Sequence, residues 1–229
     1  MIVSAVNVVT LDGPSGAGKG TVGMSIAKKL SYNYLDSGAL YRALAVAVER
    51  HNVDLNNKKR LKKLAINLDI SFQAETMSGM QVFLEGENIS RDIALERTAE
   101  RASVLASYSE VRTALTERQR LFAIAPGLVA DGRDMGTVVF PDAVLKLFLT
   151  ATIETRAKRR YKQLLLRGDN VSLPAIWRQL QKRDQRDSER SVSPLVPAID
   201  AIKLDSTDMS VEGVVDALMD MIVARGICN

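Results

Sequence analysis

The spacing of apolar residues along the chain predicts strands that alternate with helices. Residues 5 to 11 (AVNVVTL) form a valine-rich run that ends in Asp12-Gly13, which is typical of a buried parallel strand leading into a turn. Val22, Ile26 and Leu30 then recur at the spacing of one helical face between residues 21 and 30. The chain therefore begins with a strand, a glycine-rich loop and a helix.

Between residues 34 and 124, the predicted helices are interrupted by a segment of short strands. A short strand at 34–35 precedes predicted helices within 36–50 and 58–68. Residues 69–92 predict short antiparallel strands joined by tight turns, including the run ENIS at 87–90, and thus a small insert. Helical spacing returns from about 94 to 124, is broken near Ser107, and is stopped by Pro126-Gly127.

After residue 124, predicted strands alternate with predicted helices again. Buried strands are predicted at 128–132 and 143–150, a basic helix at 153–167, a further helix opened by Ser172 and Pro174, a strand at 201–205 and a helix at 210–225. This order predicts an α/β fold with three layers, in which helices cover both faces of a parallel, doubly wound five-stranded sheet. Ligands of such sheets bind at the carboxyl ends of the strands.

Length and composition narrow the class of protein. The 229 residues suit one domain, no apolar stretch approaches the roughly 20 residues that span a bilayer, and the first residues predict a strand rather than a signal peptide. Cys228 is the only cysteine and His51 the only histidine, which excludes a disulfide framework and a Cys/His zinc cluster. We expect a cytoplasmic protein without a membrane partner.

The net charge of +4 is compatible with a nucleic-acid surface or with a site for small polyanions. Arginines gather in short segments between residues 91 and 190, and no basic tract is interleaved with aromatic residues. This distribution favours small phosphorylated ligands over nucleic acid.

The first candidate site is the segment GPSGAGKGT. Its glycines allow successive backbone N–H groups to point at a phosphate, the following helix adds its positive end, and Lys19 supplies a mobile charge for the β and γ phosphates. Gly20 stands where such loops usually have Ser or Thr, and Thr21 follows one place later. A glycine-rich turn with a chance lysine is the alternative, but the preceding strand and following helix favour phosphate binding.

Two further segments admit both a structural and a functional interpretation. In DSGALYR, Asp36 or Ser37 could simply cap a helix, or Ser37 and Arg42 could approach one anion. In DGRDMG, Arg133 and Asp134 directly follow a buried strand. They could recognise a phosphate beside a base or sugar, or form a salt bridge within a turn.

Arginines recur at helical spacing in the fourth candidate region. Arg156, Arg160 and Arg167 fall on one helical face, and Arg183, Arg186 and Arg190 on another. Either a bound polyanion neutralises these charges, or Asp184 and Asp187 do. If ATP occupies the glycine-rich loop, so many guanidinium groups point to an acceptor that is itself a phosphate. Such an acceptor needs no general base, because its oxygen is already anionic near neutral pH.

The segments GPSGAGKGT, DSGALYR, VADGRDMGTVVFPDA, KRDQRDSER and PLVPAIDAIKLDST, in this order, resemble the bacterial cytidylate kinase family, which belongs to the nucleoside monophosphate kinases of the P-loop class. The resemblance covers about residues 6 to 215. It implies one kinase domain over 1–229, a monophosphate-binding region at 31–112 with a nucleotide-binding insert at about 65–95, and a lid at 153–168. The implied reaction is phosphoryl transfer from ATP to CMP or dCMP, with Mg²⁺ held by ATP and water or by Thr21. We expect a monomer with no other metal.

The same resemblance implies roles for individual residues. ATP would be bound by Gly13, Pro14, Ser15, Gly16, Ala17, Gly18, Lys19, Gly20 and Thr21, with the lid residues Arg156, Arg159 and Arg160 turned toward its phosphates. The CMP phosphate would meet Ser37, Arg42 and Arg133, and the cytosine edge would meet Ser103, Arg112 and Asp134. Tyr41, Arg183, Asp187 and Arg190 would lie near the sugar. Lys19, Arg133 and Arg183 would be catalytic.

Other classes remain as alternatives. Adenylate or shikimate kinases share a phosphate loop, whereas a GTPase switch would show an Asn-Lys-x-Asp segment, which this sequence lacks. A nucleic-acid-binding module would show basic and aromatic residues interleaved.

Overall fold

The computed structural model describes residues 6–74 and 80–227. The first five residues of the chain, on which part of the N-terminal strand prediction rests, and Cys228 lie outside these ranges. The chain divides into two compact units, one formed by Met1–Leu35 with Phe122–Asn229 and the other by Asp36–Leu121. The predicted division into a kinase domain, a monophosphate-binding region and a lid stays a prediction.

The elements follow the predicted order. The strands are β1 (Val8–Asp12), β2 (Asn33–Asp36), β3 (Ile70–Ala74), β4 (Met80–Leu84), β5 (Glu87–Asn88), β6 (Leu128–Gly132), β7 (Leu145–Thr150) and β8 (Ile202–Asp205). The helices are α1 (Lys19–Leu30), α2 (Ser37–Arg50), α3 (Lys58–Ile66), α4 (Ser90–Ile93), α5 (Glu96–Leu105), α6 (Ser109–Arg120), α7 (Ile153–Leu166), α8 (Leu173–Ser188) and α9 (Val211–Ala224). A turn of π-helix, Met135–Val139, follows β6.

The first unit is built on a parallel five-stranded sheet in the order β2-β6-β1-β7-β8. β1 is central, fully buried, and paired in parallel with β6 on one side and β7 on the other. Because β2 and β6 lie to one side of β1 while β7 and β8 lie to the other, the strand order reverses at β1. The loop after β1 therefore occupies the position where doubly wound sheets bind their ligands.

Helices cover both faces of this sheet. Val9 and Leu11 of β1 pack with Ile26 of α1 and Leu218 of α9 in one apolar cluster. Val8 belongs to a second cluster that contains residues of β6 and the π-helix, such as Met135. Alternate residues of one strand thus face two separate cores, which confirms the predicted three-layer α/β/α fold.

The second unit combines helices with a small sheet of three strands in the order β3-β4-β5, paired antiparallel. This confirms the predicted antiparallel strands, while the nucleotide-binding insert at about 65–95 stays a prediction. The final strand is shorter than predicted, because Ser90 begins α4 and accepts a hydrogen bond from the backbone N–H of Val82 through its Oγ at 3.0 Å. The predicted break near Ser107 is also confirmed, since α5 ends at Leu105 and α6 begins at Ser109.

His51, the only histidine, has a partner that is distant in the sequence. Its Nε2 lies 2.5 Å from Oε1 of Glu85, in the turn between β4 and β5, a contact between residues 34 positions apart that helical periodicity does not reveal. Its side chain is 44% exposed, in agreement with a structural position on the surface.

Among the described residues, none of the helices combines the length and the apolar character needed to cross a membrane.

Candidate functional site

The glycine-rich loop connects β1 to α1 and approaches neighbouring backbone closely. Gly13 has φ of +146°, and a Cβ atom there would lie 2.0 Å from the carbonyl oxygen of Leu149. Helix α1 begins at Lys19 after Gly18, and its first turn contains no acidic residue. The positive end of the helix is thus left for an anion, as phosphate loops require.

Lys19 is folded over the loop that precedes it. Its Nζ donates to the carbonyl oxygen of Pro14 at 2.9 Å and lies 3.9 Å from Oδ1 of Asp131, and the residue is only 5% exposed. Burial, and then the positive charge of Arg133, lower the pKa of Lys19 from 10.5 to about 7, although Asp131 opposes this shift. A phosphate beside Lys19 would restore its charged form.

Two carboxylates at this end of the sheet were missed by sequence reasoning. Asp12 accepts hydrogen bonds from the backbone N–H groups of Met135 and Gly136 at 2.9 and 2.8 Å. Burial raises its pKa to about 7 even though these two hydrogen bonds lower it. Asp131 accepts from the Tyr34 hydroxyl at 3.2 Å and faces Lys19. Their signal was available, because each acid stands at or next to the carboxyl end of a buried strand.

Asp187 on α8 brings together two of the predicted arginines. Its buried carboxylate accepts from Nε of Arg133 at 3.0 Å and forms a second, short hydrogen bond with Arg190. Burial alone would raise the pKa of Asp187, but the charges of Arg133, Arg190 and Arg183 outweigh it and hold the pKa below 3.8. Burial likewise opposes the charge of Arg133, yet the carboxylates of Asp187 and Asp131 raise its pKa above its usual value.

Arg183 and Asp134 belong to the same group of charges. The charge of Arg183 lowers the pKa of both Lys19 and Asp187. Asp134 is 3% exposed and its charge raises the pKa of Asp12. Its backbone, with φ of −144° and ψ of 24°, immediately precedes the π-helix. Electrostatic interactions thus link residues that follow β1 and β6 with residues in and just after α8: Lys19, Arg133, Asp134, Arg183, Asp187 and Arg190. That these residues bind substrate stays a prediction.

The arginines of α7 have protein partners. Arg156 is 6% exposed and donates to the carbonyl oxygens of Ala151 (2.9 Å) and Ser15 (3.0 Å), while its Nη2 lies 2.7 Å from Asp184. The structural interpretation, in which Asp184 and Asp187 neutralise the arginines of this region, is therefore confirmed for Arg156 and Arg190. Asp187 also pairs with Arg133, which that interpretation did not include. Arg156 also ties α7 to the phosphate loop, a contact that a helical face pattern does not disclose.

Arg159 and Arg160 differ in their surroundings. Arg159 donates to Oγ (3.0 Å) and the carbonyl oxygen (2.5 Å) of Ser206 and, at longer distances, to the carbonyls of Met209 and Ala17. Arg160 donates to the side chain of Gln163 at 2.6 Å, near the surface. Arg159 thus holds the loop after β8 against the phosphate loop, which differs from the expectation that it turns toward ATP.

In the second unit, the start of α2 agrees with the interpretation that a side chain of DSGALYR caps the helix. Asp36 caps the helix by accepting from the backbone N–H of Ala39 at 2.9 Å, and Arg42 pairs with the same carboxylate at 2.9 Å. Ser37 is buried. The capping role is confirmed, and an additional role of Ser37 and Arg42 with an anion stays a prediction.

Other predicted residues of the second unit lie close to one another. Arg112 is 5% exposed, donates to the carbonyl oxygen of Ala106 at 3.0 Å, and lies 5.8 Å from the ring centroid of Tyr41. Ser103, on α5, is also buried. A buried guanidinium beside an aromatic ring is suited to recognition of a planar group.

Within residues 6–74 and 80–227, no three or more His, Cys, Asp or Glu side chains are grouped so that they could hold a metal ion. Mg²⁺ in phosphoryl-transfer sites does not need such a group, because it binds mainly phosphate oxygens and water with one or two protein oxygens. Asp131, which lies beside Lys19, and Thr21, which is exposed, have side-chain oxygens of this kind. The donor set fits a magnesium ion that arrives with a nucleotide.

The parallel sheet, the loop after its central strand and the buried Lys19 define a phosphate-loop nucleotide-binding protein of the α/β class. Residues 9–224 match the family model for cytidylate kinase, and the chain belongs to that family. The resemblance seen in the sequence is confirmed.

Curated relatives agree with this assignment. The chain is 52% identical over 229 residues to the cytidylate kinase of Stutzerimonas stutzeri (strain A1501), with 100% of both chains covered. It is 54% identical over 223 residues to that of Pseudomonas savastanoi pv. phaseolicola (strain 1448A / Race 6), covering 97% of each. It is 55% identical over 216 residues to that of Pseudomonas aeruginosa (strain LESB58), covering 94% of each.

Proposed function

We propose that this protein transfers the γ-phosphoryl group of ATP to CMP or dCMP and releases ADP with CDP or dCDP. The observation that carries this proposal, beside family membership, is the cationic cluster formed by Lys19 at the start of α1, Arg133 just after β6 and Arg183 on α8. The charges of Arg133 and Arg183 both lower the pKa of Lys19. Cations held this close together favour ligands that bring several negative charges.

The chemistry needs alignment and charge neutralisation more than proton transfer. The acceptor oxygen of a nucleoside monophosphate is anionic near neutral pH, so no side chain has to remove a proton from it. Lys19 would neutralise the transferred group from the loop side, and Arg133 and Arg183 would neutralise it from the acceptor side. Their positions beside buried carboxylates fix them before the reaction, which lowers the reorganisation that accompanies transfer.

Donor binding is assigned to the loop from Gly13 to Thr21. Its N–H groups and the start of α1 suit the phosphates of ATP. Arg156 would support this loop through Ser15, and Arg160, which lies nearer the surface, would contact the ATP phosphates. Mg²⁺, when bound with the nucleotide, would spread the charge of the phosphates, either through water or with Thr21 as a ligand.

Within the first unit, we assign recognition of the base to Asp134. A carboxylate accepts hydrogen bonds only, so it suits the amino group of cytosine and not the carbonyl of uracil at the same position. Opposite uracil, the carboxylate would face a carbonyl oxygen, and two acceptors would then lie against each other. Asp134 is 3% exposed, so little water is available to separate two such acceptors.

For the second unit, the roles of Ser37, Tyr41, Arg42, Ser103 and Arg112 in binding the monophosphate are proposals that rest on the resemblance. The burial of Ser103 and Arg112 supports them. We also propose a cytoplasmic monomer whose partners are the small substrates and not nucleic acid.

An acceptor panel tests the proposal. ADP release from Mg-ATP is measured with CMP, dCMP, UMP, AMP and GMP in turn. We expect turnover with CMP or dCMP to exceed turnover with the purine monophosphates by orders of magnitude. Preferential turnover with AMP would replace the proposal by an adenylate kinase activity, and the absence of CMP-dependent turnover would reject it.

A further inference from the structure

Asp12 connects the donor loop to the segment that carries Arg133 and Asp134. It is the last residue of β1, directly before Gly13, and is 4% exposed. A buried carboxylate is costly unless it is hydrogen-bonded. Both of its oxygens are used: Oδ1 accepts from the backbone N–H of Met135 and Oδ2 from that of Gly136.

The first of these hydrogen bonds acts directly on Asp134. The N–H of Met135 belongs to the peptide plane that joins Asp134 to Met135, so its direction is set by ψ of Asp134. The carbonyl oxygen of the same peptide accepts from Val138 and Val139 at 2.9 and 3.1 Å. One side of the peptide is therefore held by Asp12 and the other by the first turn of the π-helix.

The surroundings leave Asp12 little freedom to move. Gly13, the next residue, is so close to the carbonyl of Leu149 that even a Cβ atom has no room. Arg133, on the other side of Asp134, is held by Asp187. A shift of the Asp12 carboxylate would thus be passed to the Asp134 backbone rather than absorbed by the loop.

We propose that Asp12 is a positioning residue that sets the Asp134 backbone relative to the phosphate loop and thereby determines discrimination between cytosine and uracil. This inference rests on the proposed base-reading role of Asp134. It assigns to Asp12 no contact with either nucleotide. A purely structural Asp12 would weaken all substrates alike, whereas a positioning Asp12 affects the ratio between the two pyrimidines.

The test compares Asp12→Asn with the wild-type protein. The amide keeps the size of the side chain but places an N–H donor against one backbone N–H, so one of the two hydrogen bonds is replaced by repulsion. The ratio of kcat/KM for CMP to that for UMP is expected to fall by about tenfold. The Kd of ATP, measured by calorimetry, is expected to change by less than about twofold.

The matched control is Asp54→Asn, since Asp54 also accepts from a backbone N–H, that of Asn56 at 2.9 Å, but in an exposed turn. It is expected to leave the ratio unchanged. If Asp12→Asn does not fold, Asp12→Glu, which keeps the carboxylate but moves it by one methylene, is judged by the same ratio.

The outcomes distinguish failure of the positioning role of Asp12 from failure of the base-reading role of Asp134. An equal loss for CMP and UMP, or a loss of ATP affinity that accounts for the whole effect, overturns the positioning role. A wild-type protein that does not discriminate CMP from UMP overturns instead the base-reading role of Asp134, and with it this inference.

Discussion

Arg133 donates a hydrogen bond from Nε to the carboxylate of Asp187 at 3.0 Å, and the Asp187 side chain is 1% exposed. The acid stands on α8 and the arginine just after β6, so the pair joins two segments that are 54 residues apart. Because Arg190 pairs with the same carboxylate, one buried anion balances two guanidinium groups.

Removal of this anion is expected to destabilise the protein. Asp187→Asn removes the buried negative charge that Arg133 and Arg190 share, at a cost of about 3 kcal/mol in the free energy of unfolding. Asp169→Asn is the control, because Asp169 pairs with Arg167 at 3.6 Å with both side chains about a third exposed, and such pairs are worth under about 1 kcal/mol. Urea unfolding at neutral pH measures both values. Equally small losses in the free energy of unfolding for the two variants would contradict a stabilising role of the buried Asp187 charge.

The free energies of unfolding of the wild-type protein and Asp187→Asn should differ by an amount that depends on pH, because of the pKa of Asp187. Its pKa in the folded protein is below the usual 3.8, so its ionisation favours the folded state at pH values above 3.8. The contribution is lost as the pH falls through the lower folded value. The difference between wild type and Asp187→Asn should therefore be constant near neutral pH and decrease below pH 3.8. A difference that increases with acidification would contradict this account.

Lys19 is expected to take up a proton when Mg-ATP binds. With a pKa of about 7 in the free protein, the amine is largely neutral slightly above pH 7, and a phosphate beside it would restore the charged form. Binding enthalpies measured in buffers of different ionisation enthalpy should indicate an uptake on the order of half a proton or more. Lys19→Met removes this titrating group and should lower the uptake. A binding enthalpy that does not depend on the buffer in the wild-type protein would contradict the lowered pKa.

Alanine substitutions at Gly13 and Gly168 distinguish the cost of a steric clash from the cost of a positive φ. Both have positive φ, +146° and +82°, but a Cβ atom at Gly13 would lie 2.0 Å from the Leu149 carbonyl oxygen, whereas Gly168 has no heavy atom within 4 Å. Gly168→Ala should cost about 1 kcal/mol of stability. Gly13→Ala should cost well over 3 kcal/mol, since backbone rather than a flexible side chain must move. Similar thermal stability of the two variants would contradict the close approach at Gly13.

Two neighbouring arginines on α7 are expected to behave differently. Arg159 donates to the carbonyl oxygens of Ser206 and Met209, so Arg159→Met should lower the free energy of unfolding by about 2 kcal/mol. Arg160→Met should change stability by less than about 0.5 kcal/mol but raise the KM for ATP about tenfold. Denaturation curves and steady-state kinetics distinguish the two effects. If Arg160→Met leaves the KM unchanged, its assignment to ATP is wrong.

Sequence reasoning succeeded where the relevant residues are close together along the chain. The loop from Gly13 to Thr21 could be predicted because its glycines, Lys19 and the flanking strand and helix are contiguous. The break between α5 and α6 and the antiparallel insert could be predicted for the same reason.

Partners that are distant in sequence could not be predicted. Asp12 meets Met135 and Gly136 more than 120 residues later, and Arg156 meets Ser15 at a separation of 141 residues. Helical periodicity indicated which arginines share a face of α7 but not what that face contacts. The expectation that Arg159 turns toward ATP came from the family resemblance, which does not reveal that its guanidinium donates to the carbonyl oxygens of Ser206 and Met209.

Transfer of the phosphoryl group to CMP is the claim that the whole account depends on, and phosphorus NMR of the protein with Mg-ATP and CMP tests it most directly. We predict that the signals of ADP and CDP appear together and in equal amounts, with little inorganic phosphate. Formation of ADP with inorganic phosphate, and without CDP, would show that water and not the monophosphate is the acceptor, and would contradict the account.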